Sequence, residues 1–281
     1  MIRKQYFWKI SIITVCYNAV KTIEQTIYSV VNQTYPNIEY IIIDGNSTDG
    51  TIDIIKKYED KIAYWISEPD NGIYDAMNKG IDIATGDYIQ FLGADDALVN
   101  DYIIDEIVSM IHGEDILSAN ILNINDTLFI QAKSNNHVSR DNLNYNGEMI
   151  PHPGMFCKKK LFSKKKFNIN YKIAADYDFF LFFLFDQNVS FKFIDIPVVF
   201  FSMMGVSSTN KNGNIEHKNI MTKYGINVNK IAKNFYIKGY IKRLLSILGI
   251  IRPILLKCNW EEHICTNPYC RWCKGKGEKY D

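Results

Sequence analysis

A chain of 281 residues can bury a full core, as one large domain or as one domain with an appendage. Its 47% hydrophobic and 22% charged content is that of a soluble globular protein, and a net charge of +1 argues against bulk nucleic-acid binding. The charge is uneven: from Lys230 to Asp281 there are eleven Lys/Arg against four Asp/Glu, about +7, leaving about −6 on the rest and implying a basic tail behind an acidic body.

The opening residues Met1-Ile2-Arg3-Lys4 run straight towards the first strand, without the apolar stretch and cleavage site of a secretory leader. No segment reaches the ~18–20 uninterrupted apolar residues of a membrane span. Cys16 and Cys157 sit in apolar, strand-like runs and read as reduced core thiols, so a cytoplasmic, reducing location is expected.

Ile10 to Cys16 is a nearly continuous β-prone run, as in a strand covered on both faces. Tyr17-Asn18 ends it, and Val20, Ile23, Ile27, Val30 and Val31 then recur at helical spacing until Pro36-Asn37. Ile38 to Ile43 predicts a second strand and Asp44-Gly45-Asn46-Ser47 a turn, with Asp49 or Ser47 able to cap a helix carrying Ile52, Ile55 and Tyr58. A third short strand is predicted over Ile62 to Ile66. A helix follows from Gly72 to Ala84, with Ile73, Ala76, Met77, Gly80, Ile81 and Ala84 on one face. Gly86 to Gln90 reads as a fourth, buried strand leading into Phe91-Leu92-Gly93-Ala94-Asp95-Asp96, and a helical run is expected from near Ala97.

This alternation predicts a parallel sheet with right-handed crossovers over the first ~120 residues. Tyr17 and Asn18, Asp44 and Asn46, Glu68 and Asp70, and Asp95 and Asp96 then all follow strands and should line one edge, where open α/β sheets keep their ligand crevice. Two adjacent carboxylates at a strand end repel unless a proton or cation lies between them. Oxygen-only ligands suit magnesium or manganese holding phosphate oxygens, and a solvated helix cap is the alternative. No Gly-rich phosphate loop follows the first strand, so a phosphate ligand would need a metal.

Residues ~121–150 are rich in Asn and weakly patterned, consistent with short strands and a loop. In Pro151-His152-Pro153 the histidine is held between prolines, either as structure or as a donor near a diphosphate. Asp176 opens a helix running to about Phe185: it either caps that helix or serves as a general base, partly desolvated by Ala174, Ala175, Phe179 and Phe180. Asp178 points elsewhere and is the lesser candidate. Phe191 to Phe201 reads as one long strand or a pair, broken at Pro197, and Gly205-Val206-Ser207-Ser208 as a lid-like loop.

Six segments in this order resemble the family 2 inverting glycosyltransferases of GT-A fold, in the bacterial branch that builds O-antigen, capsule and other surface polysaccharides. They are Ser11 to Asn18, Ile43 to Thr51, Ser67 to Gly80, Ala94-Asp95-Asp96, Pro151-His152 and Ala174 to Asp178, so the resemblance covers about residues 8–205. It implies an α/β, Rossmann-like, mostly parallel sheet covered by helices on both faces. It also implies that Val15, Tyr17 and Asp44, with Asp95, hold the nucleotide. Asp95 and Asp96 stand at the D-x-D position, Asp96 as the more direct ligand of Mn2+ or Mg2+. Asp176 matches the catalytic base, and His152, Asp70 and Lys79 are candidates for the diphosphate or acceptor side. The chain departs from the pattern twice: Gly45 stands where many relatives carry a second Asp, and Met77 where many carry a diphosphate-side arginine.

The domain reading is a glycosyltransferase domain over 1–210, with a nucleotide-sugar half at about 8–120 and an acceptor half at about 121–210. A helical, basic C-terminal extension follows over 211–281. In it, Asn214 to Phe235 reads as a polar helix. Residues 236–257 mix apolar residues with Lys and Arg, as in a helix lying on an anionic membrane surface or packed on the catalytic domain. His263, Cys265, Cys270 and Cys273 are candidate ligands for a structural zinc, with loose reduced thiols as the alternative. The expected activity is inverting transfer of a hexose or N-acetylhexosamine from a UDP-linked donor to a lipid-linked saccharide acceptor, at the inner face of the cell membrane. A non-catalytic sugar- or nucleotide-binding scaffold and a nucleotidyltransferase are the competing readings. The second normally needs a Gly/Arg/Lys-rich loop after the first strand, which Thr14 to Asn18 lacks.

Overall fold

The computed structural model describes residues 8–125, 128–132, 151–186, 188–203 and 213–228. Strands β1 (Ile10–Cys16), β2 (Ile38–Asp44), β3 (Tyr64–Ser67) and β4 (Tyr88–Gly93) alternate with helices α1 (Ile23–Val31), α2 (Thr51–Lys56) and α3 (Ile73–Ile83). A short β5 (Ala97–Leu98) and α4 (Ile103–Ser109) follow, then β6 (Ile116–Asn125) and β7 (Leu128–Ala132). After a 3-10 turn at His152–Gly154 come β8 (Met155–Lys158), α5 (Lys159–Lys164), α6 (Ala175–Leu184), β9 (Phe191–Ser202) and α7 (Gly213–Lys223).

One sheet has the order β3-β2-β1-β4-β8-β6-β9-β5, with β7 added on β6. β3, β2, β1 and β4 are mutually parallel, as the alternation predicts; β8 then runs antiparallel to β4 and β6, and β9 parallel to β6. Alternate residues of each central strand face opposite cores. Ile13, Val15, Ile41, Ile43, Ile89 and Phe91 meet α3, α5, α6 and α7 through residues such as Met77, Leu161, Phe180 and Ile220. Ile10, Ile12, Tyr40, Ile42, Tyr88 and Leu92 meet α1, α2 and α4 through Ile27, Ile55 and Ile104. The period of two follows from the pleat, and each fully buried aliphatic side chain contributes roughly 1.5–3 kcal/mol.

Two local expectations are corrected, and a third, read as one long strand or a pair, is resolved. Ala97 does not begin a helix: Ala97 and Leu98 pair with Phe200 and Val199 of β9, and the helix starts only at Ile103. A cross-strand partner a hundred residues away overrides local helix propensity here. The third strand runs Tyr64–Ser67, because a 3-10 turn over Glu59–Lys61 occupies the chain just before Ile62. Phe191 to Ser202 is a single strand; at Pro197, which has no N–H to give the ladder, its register against β6 shifts between Ala119 and Ile121.

α7 lies beyond residue 210 yet packs on α6, with Ile220 and, just past the helix, Ile226 buried in the α3–α6 core. The lid-like Gly205–Ser208, residues 236–257 and the zinc candidates His263, Cys265, Cys270 and Cys273 lie outside the described residues. Among the described residues, no helix is long and apolar enough to cross a membrane.

Candidate functional site

The four polar clusters do follow β1 to β4 and gather at the carboxyl ends of these parallel strands, where β1 lies between β2 and β4. The loops after β1 and β2 are sewn together. Asn18 N–H donates to Ser47 Oγ (2.7 Å), Thr48 N–H to Asn18 Oδ1 (3.0 Å), Ala19 N–H to Thr51 Oγ1 (2.8 Å) and Val20 N–H to Asp49 Oδ2 (3.0 Å). Asn18 and Asn46 both hold positive φ, 49° and 67°, a region asparagine tolerates better than most residues.

Asp44 ends β2 and is fully buried. Its carboxylate accepts Ser47 N–H (2.8 Å), Ser47 Oγ (2.5 Å), Ser67 Oγ (2.6 Å) and Cys16 Sγ (3.3 Å), so it joins the ends of β1, β2 and β3. Burial and the Asp44 charge push the Cys16 thiol far above its ordinary range, which keeps it protonated and unreactive. Val15 is buried, whereas Tyr17 stands 66% exposed at the mouth, an aromatic face open to a stacking ligand. Gly45 matters for what approaches it: a Cβ there would lie 2.6 Å from Asp70 Oδ2 and 3.4 Å from the Tyr17 ring. Where many relatives carry a second aspartate, this chain therefore brings the Asp70 carboxylate, anchored by Gly72 N–H at 2.8 Å, up against the same backbone.

The Asp95-Asp96 pair curls over Gly93, where a Cβ would meet Asp96 Oδ2 at 2.7 Å and Asp95 Oδ1 at 3.1 Å. The missing side chain lets two carboxylate oxygens converge. Asp96 is 2% exposed. Its Oδ1 accepts Ser202 N–H (2.8 Å), its Oδ2 accepts Gly93 N–H (3.2 Å), and its carbonyl accepts Thr26 Oγ1 (2.6 Å). Asp95 is the more open of the two. Among the described residues no three His, Cys, Asp or Glu side chains form a metal cage. A cation that brings diphosphate oxygens of its own needs only one or two protein carboxylates, and the hard oxygens converging over Gly93 fit that requirement.

Asp176 is half-buried in the first turn of α6. Tyr74 Oη lies 2.9 Å from Asp176 Oδ1 and 2.5 Å from Ile173 O, so one hydroxyl proton serves two acceptors. Burial, then the Asp176 charge, raise the Tyr74 phenol well above its ordinary value, so it stays a donor. Among the described residues Tyr74 makes the one hydrogen bond to this carboxylate. The turn before α6 is held from elsewhere: Glu216 accepts Lys172 N–H (2.8 Å), Ile173 N–H (2.9 Å) and Ala174 N–H (3.1 Å). Asp178 points away, fully buried between Lys165 and Lys223, each at 2.7 Å. Burial pushes its carboxyl up, but the two ammonium groups outweigh that and hold it below its usual range.

His152 stacks on Phe91 (centroids 5.3 Å, planes 25° apart) and meets Phe167 edge-on at 5.8 Å. Burial lowers its pKa from 6.5 against the opposing pull of the Asp176 carboxylate, so the imidazole is neutral at pH 7. Lys79, a candidate for the diphosphate side, instead pairs with Glu68 (2.7 Å) and donates to Pro69 O (2.9 Å), bracing the loop after β3. Met77, in the place of the arginine, is core. Asn78 exchanges two hydrogen bonds with the Phe167 backbone, at 2.9 and 3.1 Å. Tyr74 and Asn78, one turn apart on α3, thus fasten the segment leading into α6. Their only signal in the sequence is two polar groups at i, i+4 on an otherwise apolar helix face. Glu216 carries no local signal.

Known proteins share this fold and part of this sequence. S. aureus TarS 1-349 in complex with UDP-GlcNAc shares the fold, with a TM-score of 0.64 and 18% identity, over 95% of this chain and 79% of that one. A mannosyltransferase from Pyrobaculum calidifontis, in complex with GDP-Man and Mn2+, aligns at a TM-score of 0.53 and 17% identity, over 69% of this chain and 56% of that one. An uncharacterized glycosyltransferase of Mycobacterium tuberculosis is 32% identical over 176 residues, 61% of this chain and 67% of that protein. A putative teichuronic acid biosynthesis glycosyltransferase of Bacillus subtilis is 44% identical over 94 residues, 32% of this chain and 37% of that protein. The model of the family described as "Glycosyl transferase family 2" matches residues 11–186, which include every site residue above except Ser202, Glu216 and Lys223, and the chain therefore belongs to that family.

Proposed function

We propose that the protein transfers a sugar, with inversion, from a UDP-linked donor to a hydroxyl of a saccharide acceptor in the synthesis of a surface glycan. The observation that carries this is the state of Asp176: a half-buried carboxylate in the first turn of α6, steadied by the Tyr74 phenol. Such a group is free to take a proton. The acceptor oxygen loses its proton to Asp176 as it attacks the sugar C1. The bond from C1 to the diphosphate oxygen breaks, and the nucleoside diphosphate leaves with the bonding pair. One displacement needs no carboxylate nucleophile, unlike the double displacement of retaining glycosidases.

Tyr17 offers a stacking face for the base, and Asp44, out of a ligand's reach, shapes the floor through Ser47 and Ser67. Asp95 and Asp96 would hold a manganese or magnesium ion, which when bound offsets negative charge on the departing diphosphate. The neutral imidazole of His152 supplies a donor without adding charge beside Asp176. UDP is favoured because a solved relative in fold is described in complex with UDP-GlcNAc. A surface-glycan acceptor is favoured by the teichuronic acid relative and by a PGL/p-HBAD biosynthesis glycosyltransferase of Mycobacterium bovis, 30% identical over 177 residues. A lipid carrier on that acceptor, met at an anionic membrane surface by residues 236–257, completes the proposal.

The test is a calorimetric titration of UDP, GDP and TDP, each with manganese and then with EDTA. Manganese-dependent binding of UDP alone is expected. Binding of another nucleotide would change the donor, and absence of all binding would favour a scaffold.

A further inference from the structure

The family match ends at residue 186, yet a residue 30 positions later reaches into the site. We propose that Glu216 of α7 is the positioning residue for Asp176: it fixes the turn that leads into the helix carrying the base. The proposal rests on Asp176 being the base.

An aspartate in the first turn of a helix ordinarily turns back to accept that helix's free N–H groups. The N–H groups of the turn into α6 are held from outside the helix. Lys172, Ile173 and Ala174 give theirs to the two oxygens of Glu216 at 2.8, 2.9 and 3.1 Å. The Asp176 carboxylate takes its hydrogen bond from Tyr74 of α3 at 2.9 Å. A negative side chain at the amino end of α6 also suits the helix dipole.

The clamp is itself fixed at its other end. Lys223, two turns further along α7, reaches the buried Asp178 of α6 at 2.7 Å, and Tyr224 donates to the same residue at 3.2 Å. Ile220 between them is fully buried. α7 is thus held against α6 along its length, and Glu216 is held in register with the three N–H groups. Without Glu216 the turn over 172–174 would loosen, and the Asp176 carboxylate would lose its fixed direction.

Glu216→Ala and Glu216→Gln are compared with the parent chain and with Asp176→Asn. The first measurement is amide hydrogen exchange. The second is UDP release, in manganese with water as acceptor, from the fastest donor in a panel of UDP-hexoses and UDP-N-acetylhexosamines, alongside UDP affinity by calorimetry. In Glu216→Ala, exchange at residues 172–176 should accelerate while β1 to β4 are unchanged. Its kcat should fall about tenfold or more, with KM and UDP affinity within about twofold. Glu216→Gln, whose amide oxygen still accepts, should recover most of kcat. Parent-like exchange, or parent-like kcat, in folded Glu216→Ala overturns the proposal. Where Glu216→Ala does not fold, Glu216→Asp, whose shorter side chain draws the carboxylate back, takes its place with the same expected and overturning results. Parent-like turnover by Asp176→Asn would remove Asp176 as the base. An inactive Asp176→Asn beside a fully active Glu216→Ala would remove Glu216 alone. If no donor turns over, exchange at 172–176 decides the role of Glu216 by itself.

Discussion

At the amino end of the sheet, Glu39 and Asp115 are buried against lysines; at the carboxyl end, Asp44, Asp70 and Asp176 are held by hydroxyl, thiol and N–H groups. Glu39 pairs with Lys9 at 2.7 Å and accepts Ser11 Oγ and Thr85 N–H, each at 2.6 Å. Asp115 meets Lys160 at 2.7 Å, Lys158 at 3.3 Å and Ser190 N–H at 3.2 Å. A lysine partner cancels a carboxylate's charge, whereas a neutral donor fixes its direction and leaves the charge for something else. The first arrangement ties strand ends together. At Asp70 and Asp176 the second suits a cation or a proton that arrives with substrate, whereas at the fully buried Asp44 it shapes the floor. Glu68, paired with Lys79, is the exception at the crevice, and it braces a loop rather than facing the ligand.

The largest effect that would sharpen this contrast is at Asp176. Asp176→Asn keeps the shape and the Tyr74 hydrogen bond but cannot take a proton. Transfer should fall by between about 10² and 10⁴-fold, while UDP affinity stays within about twofold. If affinity falls in parallel with rate, the carboxylate is holding structure, and the two ends of the sheet do not differ as described.

Asp95 comes next. Replacing it with Asn removes one charge from the pair over Gly93 and leaves the buried Asp96 in its backbone bonds. UDP affinity in manganese should weaken by about tenfold or more, and affinity in EDTA should not change. Equal loss in both conditions would mean that Asp95 touches the nucleotide directly and that no metal is held there.

Much of the carboxyl end is legible in the amino-acid order alone. The β1-to-β4 alternation implies the parallel half of the sheet, and strand-end position places Tyr17, Asp44, Asp70 and Asp95 on one edge. What is not legible depends on distant partners. Ala97 has the local look of a helix start, and only Val199 and Phe200 make it and its neighbour a strand. Asp176 has the local look of a helix cap, and nothing near it in sequence shows that Glu216, more than 40 residues from the N–H groups it accepts, holds the turn before it. Between Asp95 and Asp96, adjacency in sequence gives no hint of which is buried; that follows from Ser202 of β9 closing over Asp96. Ser47 has the residue type of a helix cap and instead serves Asp44.

The smallest effect concerns stability at the amino end. Burial alone would raise the Glu39 carboxyl, but Lys9, Ser11 and Thr85 outweigh it and bring it from 4.5 to about 2. Asp115 is likewise held at about 2 against an ordinary 3.8. A carboxylate whose folded pKa is depressed stabilises the fold above its unfolded pKa and loses that contribution as pH falls towards the folded value. Stability from Glu39 should therefore be complete above about pH 4.5 and drain away towards pH 2, a change on the order of 2 kcal/mol. Glu39→Gln should lower the thermal midpoint at pH 7 and flatten its decline between pH 5 and 3, with Asp115 still supplying part of the slope. Because this charge is already neutralised by Lys9, the same substitution should leave UDP affinity and transfer unchanged at pH 7. A loss of either in a folded Glu39→Gln protein would show that the two ends of the sheet are coupled, and that charge at one is felt at the other through β1, β2 and β4.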